Sequence, residues 1–379
     1  TADLDVQSQL KAKHPQLTLR AGEERKAHAA NLSAQVPDAP ELDMAPHLRA
    51  LGYRCGTGPD GFRNEFLKVL VQKFSSEKAS QAMAMLGRFE QAYAGHLLPS
   101  WFYTMYSSTL LLALNKEAVQ PGVVAKVRPL GAGNVAVRRL SARVRTDLSK
   151  KALREYLGPT QVAVGRSDGS AILVHTIREM LVAHPEWTVI KVDINNALME
   201  FDRTVAMSAI ASPAFPCEAR AHLMGSFLAE YGDSHPIFYA DGTRASFDCQ
   251  QGGDQGDPRM PAIFCITIRD ALIELNDTLK AEGGLVMCQM DDSYACGPQN
   301  LVTKALRAFR TRLQATCGLR VDLGAGSKTC MYSPEGVYAA EPDGEFPISR
   351  LKVSEDDPRW TALRAPGQPA PEGMVVSGV

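Results

Sequence analysis

No stretch of about 18 or more uncharged apolar residues occurs in this sequence, and the charged segment from Thr1 to Arg25 has no apolar core of the kind a secretory signal needs. The chain therefore reads as an intracellular protein with no membrane partner. A Cys-x-x-Cys pair is also missing. Cys55, Cys217, Cys249, Cys265, Cys288, Cys296, Cys317 and Cys330 are scattered, so no zinc spacing is nominated and reduced thiols are the expectation. An excess of one charge is absent too: the formal net charge is -1, which excludes a uniformly basic nucleic-acid binder but not a local basic field. Gly131-Ala132-Gly133 lacks the third glycine and the following acid of a dinucleotide-binding turn, so that fold is rejected. There is no initiator Met and no terminating element at Val379, as expected of a piece of a longer chain.

What is present is an ordinary globular composition, 45% apolar over 379 residues, enough for one large or two to three smaller subdomains. Charge is concentrated locally. From Lys116 to Glu155 there are ten basic residues, including Lys126, Arg128, Arg138 and Arg139, against three acidic ones. Such a stretch can meet phosphates, or it can be a helix face turned to water.

Periodicity supplies a sequence of elements. The first 44 residues are polar and helix-prone, with a break at Val36 to Pro40. The loop Gly56 to Gly61 leads into a buried helix carrying Phe66, Leu67, Leu70, Val71 and Phe74. Ser108 to Leu114 and Val123 to Leu130 read as a hairpin with interleaved positive charge. Ile172, Val174, Ile177 and Leu181 mark a helix ended at His184-Pro185, and Trp187 to Ile194 is a strand. Phe264, Ile268, Leu272, Leu275 and Leu279 form a stripe that Gly283-Gly284 terminates; Leu285 to Met290 is a strand; Val302, Leu306, Phe309 and Leu313 give a helix stopped by Gly318. This order is that of an α+β layer sandwich, followed from Ser354 by a tail rich in Pro, Gly and charge.

Two of these strands end in acids, Val189 to Asp193 and Val286 to Asp292. A carboxylate delivered by an apolar strand needs compensation, which a divalent cation supplies; an adjacent Asp pair is equally what a hairpin turn selects. Between them, Gln255-Gly256-Asp257-Pro258 makes a sharp entry into the long helix, where free amides suit a phosphate or simply start the helix.

In this order the pieces resemble the motifs of reverse transcriptases, closest to those of non-long-terminal-repeat (LINE-type) retrotransposons, over roughly Gly56 to Val379. The motifs are Gly58-Pro59-Asp60-Gly61, Arg128-Pro129-Leu130 with Arg138-Arg139, Gln161 to Gly165, Val192-Asp193 to Ala197-Leu198, Gln255 to Pro258, Gln289-Met290-Asp291-Asp292, Gly318-Leu319 with Lys328, and Val376 to Val379 as the start of a primer grip. Leu198 stands where the family carries an aromatic steric gate, Gln289 where it has an aromatic, Ser293 for a glycine and Arg259-Met260 for Leu-Gly.

The resemblance implies a right-hand polymerase of fingers and palm, the palm an antiparallel sheet packed on helices and the thumb missing. The implied divisions are a helical extension (1–50), fingers with the first palm helix (51–186), palm with the catalytic motifs (187–345) and a truncated primer-grip region (346–379). It implies an RNA-directed DNA polymerase, transferring dNTPs to a DNA primer 3′-OH on an RNA template, with two Mg²⁺ ions about 3.5 to 4 Å apart, or Mn²⁺ in their place. By the same analogy Asp193 and Asp291 bridge the metals, Asp292 is an auxiliary ligand, the Ile194 carbonyl completes a shell and Lys328 protonates pyrophosphate. Lys126 and Arg128 take the triphosphate, Gln255, Gly256 and Leu198 contact the nucleotide, Arg138 and Arg139 touch template phosphates, and residence is nuclear. Three other readings stay open: an RNA-dependent RNA polymerase of the same palm, a catalytically silent RNA-gripping scaffold, and a carboxylate metallohydrolase, the last disfavoured because no His joins the acids.

Overall fold

The computed structural model describes residues 2–72, 77–116, 126–243, 245–323, 327–335, 346–347, 351–352, 372–373 and 376, and the architecture is α+β. The chain divides into two compact units, Thr1–Tyr156 with Asn196–Thr267, and Leu157–Asn195 with Ile268–Val379. Residues 157–186 fold with the second unit because Gln161 bridges in parallel to Cys288, and residues 196–267 return to the first, where β-pairing holds them.

The first unit begins with α1 (Ala2–Ala12), α2 (Leu19–Ser33), α3 (Ala45–Ala50), α4 (Asn64–Gln72), α5 (Glu77–Ala94) and α6 (Ser100–Tyr106). Thr18 starts α2 by accepting a hydrogen bond from the Ala21 amide at 3.2 Å, the usual service of a threonine N-cap. Phe66, expected on the buried face of α4, is exposed and stacks edge-on against Phe62, while Leu67 enters the core; Phe74 lies outside the described residues. Strands β1 (Thr109–Asn115) and β2 (Val127–Gly133) pair antiparallel, Thr109 opposite Gly133, as the hairpin reading requires. A π-helical stretch (Val135–Ala142), capped by the Asn134 side chain, runs into α7 (Arg143–Leu157).

Helix α8 (Gly169–Ala183) and strand β3 (Thr188–Val192) belong to the second unit. The chain then returns with α9 (Ala197–Glu200), α10 (Arg203–Ala211), α11 (Cys217–Tyr231), β4 (His235–Tyr239), β5 (Ser246–Cys249) and the start of α12 (Met260–Lys280). The first sheet has the order β2-β1-β4-β5, with β1 and β4 parallel and the other pairs antiparallel. Leu10, Leu111, Val127, Ile237, Tyr239 and Cys249 pack together around it.

The second unit is completed by β6 (Leu285–Gln289), β7 (Asp292–Gly297), α13 (Gln299–Cys317), β8 (Cys330–Tyr332), β9 (Leu351–Lys352) and β10 (Glu372–Gly373). Its main sheet is antiparallel in the order β6-β7-β3-β8. All five residues of β3 are buried, as befits a central strand with a neighbour on each side. Leu173 and Ile177 of α8 pack with Val189, Tyr294 and Cys296, and Val302, Leu306, Phe309 and Leu313 are the buried stripe of α13. Gly318 ends α13 in the left-handed conformation, at φ 70°, as its sequence position predicts. The primer-grip reading rests on 376–379, of which only Val376 is described; it packs against this core.

The first unit is held by a buried ionic net. Arg138 is 1% exposed. Its Nε donates to Glu230 at 2.8 Å, its Nη1 to Asp254 and its Nη2 to the Ser107 carbonyl at 3.1 Å. Arg259 donates to both oxygens of Asp257, at 3.1 and 2.6 Å, and also reaches Glu230. Tyr231 donates to Asp257 at 2.8 Å, and the guanidiniums of Arg138, Arg203 and Arg259 lie 5.6, 5.1 and 5.6 Å from its ring centre. A Cβ on Gly133 would fall 2.0 Å from Arg138 Cδ, so glycine is what lets this arginine lie along β2.

This overturns the expectation that Arg138 touches template phosphates: its fork is fully used inside the unit. Arg145, from the same basic stretch, is likewise buried on Glu90, while Lys116, Lys126, Arg128, Arg143, Lys150, Lys151 and Arg154 are exposed. Buried ion pairs are costly to desolvate, and close geometry with further hydrogen bonds is what repays that cost. Arg138→Met should therefore destabilise the fold by about 3–5 kcal/mol in urea unfolding, and Arg138→Lys should recover little, since one ammonium cannot serve three divergent acceptors. Burial disfavours charge on Asp254, but Arg138 and His235 outweigh it and hold the carboxyl well below its usual range; Arg259 does the same for Asp257 against burial. Their contribution is complete above the unfolded value of about 4 and lost as pH falls through the depressed folded values. The gap between parent and Arg138→Met should narrow in strong acid, and a gap that stays constant would contradict this assignment.

Candidate functional site

Alternation along β3 sends Lys191 and Asp193 to one face of the second unit's sheet, and the register does the rest. Val192 pairs with Ser293, so the next residue outward, Asp193, lies beside the start of β7 at Asp292. Asp291 sits in the two-residue turn of the β6–β7 hairpin, where Gln289 pairs with Asp292. Residues distant in sequence are thereby brought to one edge of one sheet. The backbone of Asp193 is fixed from both sides: its amide donates to Thr329 Oγ1 at 3.0 Å, and its carbonyl accepts from the Asp322 amide at 2.8 Å. Ile194, the expected carbonyl ligand, is bridged to Val321.

The turn itself is strained and clamped. Met290 has φ 59°, a left-handed conformation that a side chain adopts at a cost. The buried amide of Gln161 holds it: Oε1 accepts from Met290 N at 2.9 Å and Nε2 donates to Met290 O at 3.2 Å. The flanking strand is tied down as well, with Cys288 N donating to Thr160 O at 2.7 Å and Val162 N to Cys288 O at 2.9 Å. Gln289 exchanges hydrogen bonds with the Ser170 hydroxyl, at 2.7 and 2.9 Å. The glutamine-glycine loop thus positions the hairpin that carries the acids.

The acids are not alike. Burial, followed by the negative charges of Asp292 and Asp322, pushes Asp193 up from the usual carboxylate range against the pull of Lys328 and Lys191. Asp291 is pushed up by burial first and then by Asp292 and Asp193, again opposed by Lys328. Asp292 already has a partner, Lys191 Nζ at 3.2 Å; that lysine is 8% exposed and lies 5.5 Å from the Tyr294 ring centre. Asp193 and Asp291 are therefore the acids with negative charge left to compensate. Oxygen donors of this kind are the ligand type Mg²⁺ or Mn²⁺ takes, although the oxygens of Asp193, Asp291 and Asp292 do not all lie within 4.8 Å of one another. Lys328, although exposed, is close enough to act on both acids.

The other expected residues lie in the first unit. Gly131 N donates to Gln255 O at 2.6 Å, and Gly253 N to Leu198 O at 2.7 Å, so Gln255 and Leu198 meet on one loop. Gly256 has φ 113°, and a Cβ there would lie 2.5 Å from the Gly131 carbonyl, which makes glycine a requirement of that turn. Lys126 and Arg128 are exposed, and Arg128 belongs to a basic group with Lys13 and Lys116: burial, then those two charges, pushes the Lys13 ammonium down. Arg139 is in the π-helical stretch, and its side chain is outside the described residues.

Sequence reasoning missed Lys191, Asp322, Thr329 and Lys13 as neighbours of these groups. Only Lys191 carried a signal, two residues before Asp193 on one strand face. Among the described residues no helix is long and apolar enough to cross a membrane. No protein-family model matches this chain, and no curated protein matches it.

The raised acids make a thermal test. Because the fold favours their protonated forms, their contribution to stability declines as pH rises from about 4 through the raised folded values, and at neutral pH their ionised forms weaken the metal-free protein. Asp193→Asn and Asp291→Asn should each raise the metal-free melting temperature by about 2 °C. Mg²⁺ at ten times its Kd should stabilise the parent by about 1.4 kcal/mol and leave both variants unmoved. Equal Mg²⁺ shifts in parent and variants would place the ion elsewhere.

Proposed function

We propose that this chain is an RNA-directed DNA polymerase that joins a dNTP to a primer 3′-OH by metal-dependent nucleotidyl transfer. The observation that carries the reading is the convergence of Asp193 with the Asp291-Asp292 turn on one sheet edge, with Asp193 and Asp291 both pushed toward protonation. Mg²⁺, when bound, supplies the positive charge that makes the 3′-hydroxyl a better nucleophile and offsets charge on the departing pyrophosphate.

The chain's own residues have separate tasks. Asp193 and Asp291 hold the divalent ions, with the Ile194 carbonyl beside them. Asp292, neutralised by Lys191, sets the local charge and assists. Gln161 keeps the turn in the conformation that presents Asp291. Lys126 and Arg128, in the first unit, are exposed cations that suit a phosphate by charge, the guanidinium adding direction. Lys328 donates the proton that the pyrophosphate leaving group needs. Leu198, smaller across its face than an aromatic gate, favours testing ribonucleotides as well, since an RNA polymerase would share the same acids.

The test is primer extension on RNA and DNA templates, comparing dNTP with rNTP and Mg²⁺ with chelator. DNA synthesis should require Mg²⁺ and fall to background in Asp291→Asn. Nucleic-acid binding that ignores Mg²⁺ and incorporates nothing would instead make the protein a silent scaffold.

Lys328 allows a separate measurement. Lys328→Ala should lower the chemical step about 100-fold in single-turnover assays, with Lys328→Arg intermediate and primer binding unchanged. A loss confined to primer affinity would remove the proton-donor role.

A further inference from the structure

Away from the carboxylates of the second unit, the first unit brings together three side chains of mixed donor type, His14, Cys249 and Asp254, all buried. One ligand atom from each lies within 4.8 Å of the others. His14 follows α1 and packs edge-on against Phe247 at 5.1 Å. Its Nδ1 is 2.8 Å from the Leu10 carbonyl. A carbonyl can only accept, so Nδ1 carries the proton and Nε2 keeps its lone pair, the tautomer that a metal-binding imidazole needs. Cys249 closes β5; Arg203 Nη2 donates to its Sγ at 3.1 Å, the Sγ donates to the Gln251 carbonyl at 3.5 Å, and burial pushes the thiol up to about 12, so it is a protonated thiol until an ion displaces the proton.

Asp254 supplies the second, independent observation. It is 2% exposed, and its Oδ2 accepts from Thr109 Oγ1 at 2.7 Å, from His235 Nε2 at 3.1 Å and from Arg138 Nη1. Its Oδ1 has neither solvent nor a hydrogen-bond partner. A buried carboxylate oxygen left bare, on a residue grouped with an imidazole and a thiol, is costly, and a cation removes the cost.

We infer that His14 Nε2, Cys249 Sγ and Asp254 Oδ1 form a site for one zinc-class divalent ion. A nitrogen, sulfur and oxygen set of this kind selects Zn²⁺ or a neighbour such as Co²⁺ over Mg²⁺, which demands oxygen throughout. Donors bonded at roughly 2.0–2.3 Å to a tetrahedral ion stand roughly 3.3–3.8 Å apart, so ångström-scale side-chain adjustments close the site. Binding displaces the thiol proton of Cys249 to solvent, leaving a thiolate for the ion. Thr109, His235 and Arg138 orient the carboxylate, as outer hydrogen bonds do in metal centres. The ion joins the segment after α1 to β5, where Gln16 Nε2 already donates to Asp248 O at 3.0 Å and Leu17 N to Gln250 Oε1 at 2.6 Å. Its role is a structural staple, and it stands or falls independently of nucleotidyl transfer.

The experiment loads the full chain with Zn²⁺, dialyses it against Mg²⁺ buffer and measures retained zinc by elemental analysis. In parallel, Co²⁺ is titrated into the metal-free parent and read by absorption. Expected are about one equivalent of retained zinc per chain, loss of most of it in His14→Gln and Cys249→Ser, full retention in Asp291→Asn, and a thiolate-to-Co²⁺ charge-transfer band removed by one equivalent of Zn²⁺. The cobalt arm needs no variant, so a misfolded Cys249→Ser leaves the inference testable. Less than about a tenth of an equivalent of zinc with no thiolate band in the parent would overturn it. So would zinc retention that is the same in a folded Cys249→Ser.

Discussion

The antiparallel register of β3 against β7 is the constraint on which the candidate site depends. With Val192 opposite Ser293, Asp193 and the Asp291-Asp292 turn must share an edge, and their charges must be reconciled there. A slip of one residue would turn Asp193 to the other face and carry Lys191 away from Asp292. The register is guarded by burial, since every residue of β3 is inside, and by the pairs that flank it on β7 and β8. The cost of the arrangement is local and visible: a left-handed Met290, two acids pushed up from their usual range, and a glutamine amide spent on holding a turn.

Much of the fold was legible because its signals were periodic. The apolar run before Asp193, the three-and-four spacing from Phe264 to Leu279 and the glycine after α13 each identify one element from its own local pattern. The β1–β2 hairpin was legible for the same reason. Not legible was the parallel pairing of β1 with β4, since contacts between segments so far apart leave no local pattern. Arg138 shows the limit most clearly. In sequence it is one of ten cations in a basic stretch; in the structure it is the centre of a buried net whose anions, Glu230 and Asp254, come from elements about a hundred residues further on. Charge density along a chain says nothing of which charges find internal partners.

The same distinction separates the roles of the acids. Asp254 and Asp257 are wholly buried yet held below the ordinary carboxylate range, because Arg138 and Arg259 neutralise them more strongly than burial opposes their charge. Asp193 and Asp291 are less buried yet raised, because their neighbours are other acids and the nearby lysines do not compensate in full. Residue type and depth alone would rank these four in the wrong order of reactivity. What differs between the two pairs is how far the fold has already supplied a cation: Arg138 serves Oδ2 of Asp254 and leaves Oδ1 without a partner among the described residues, while Asp193 and Asp291 lack full compensation. Where the cation is supplied, the acid stabilises the unit; where it is not, the deficit of positive charge is what a divalent ion would answer.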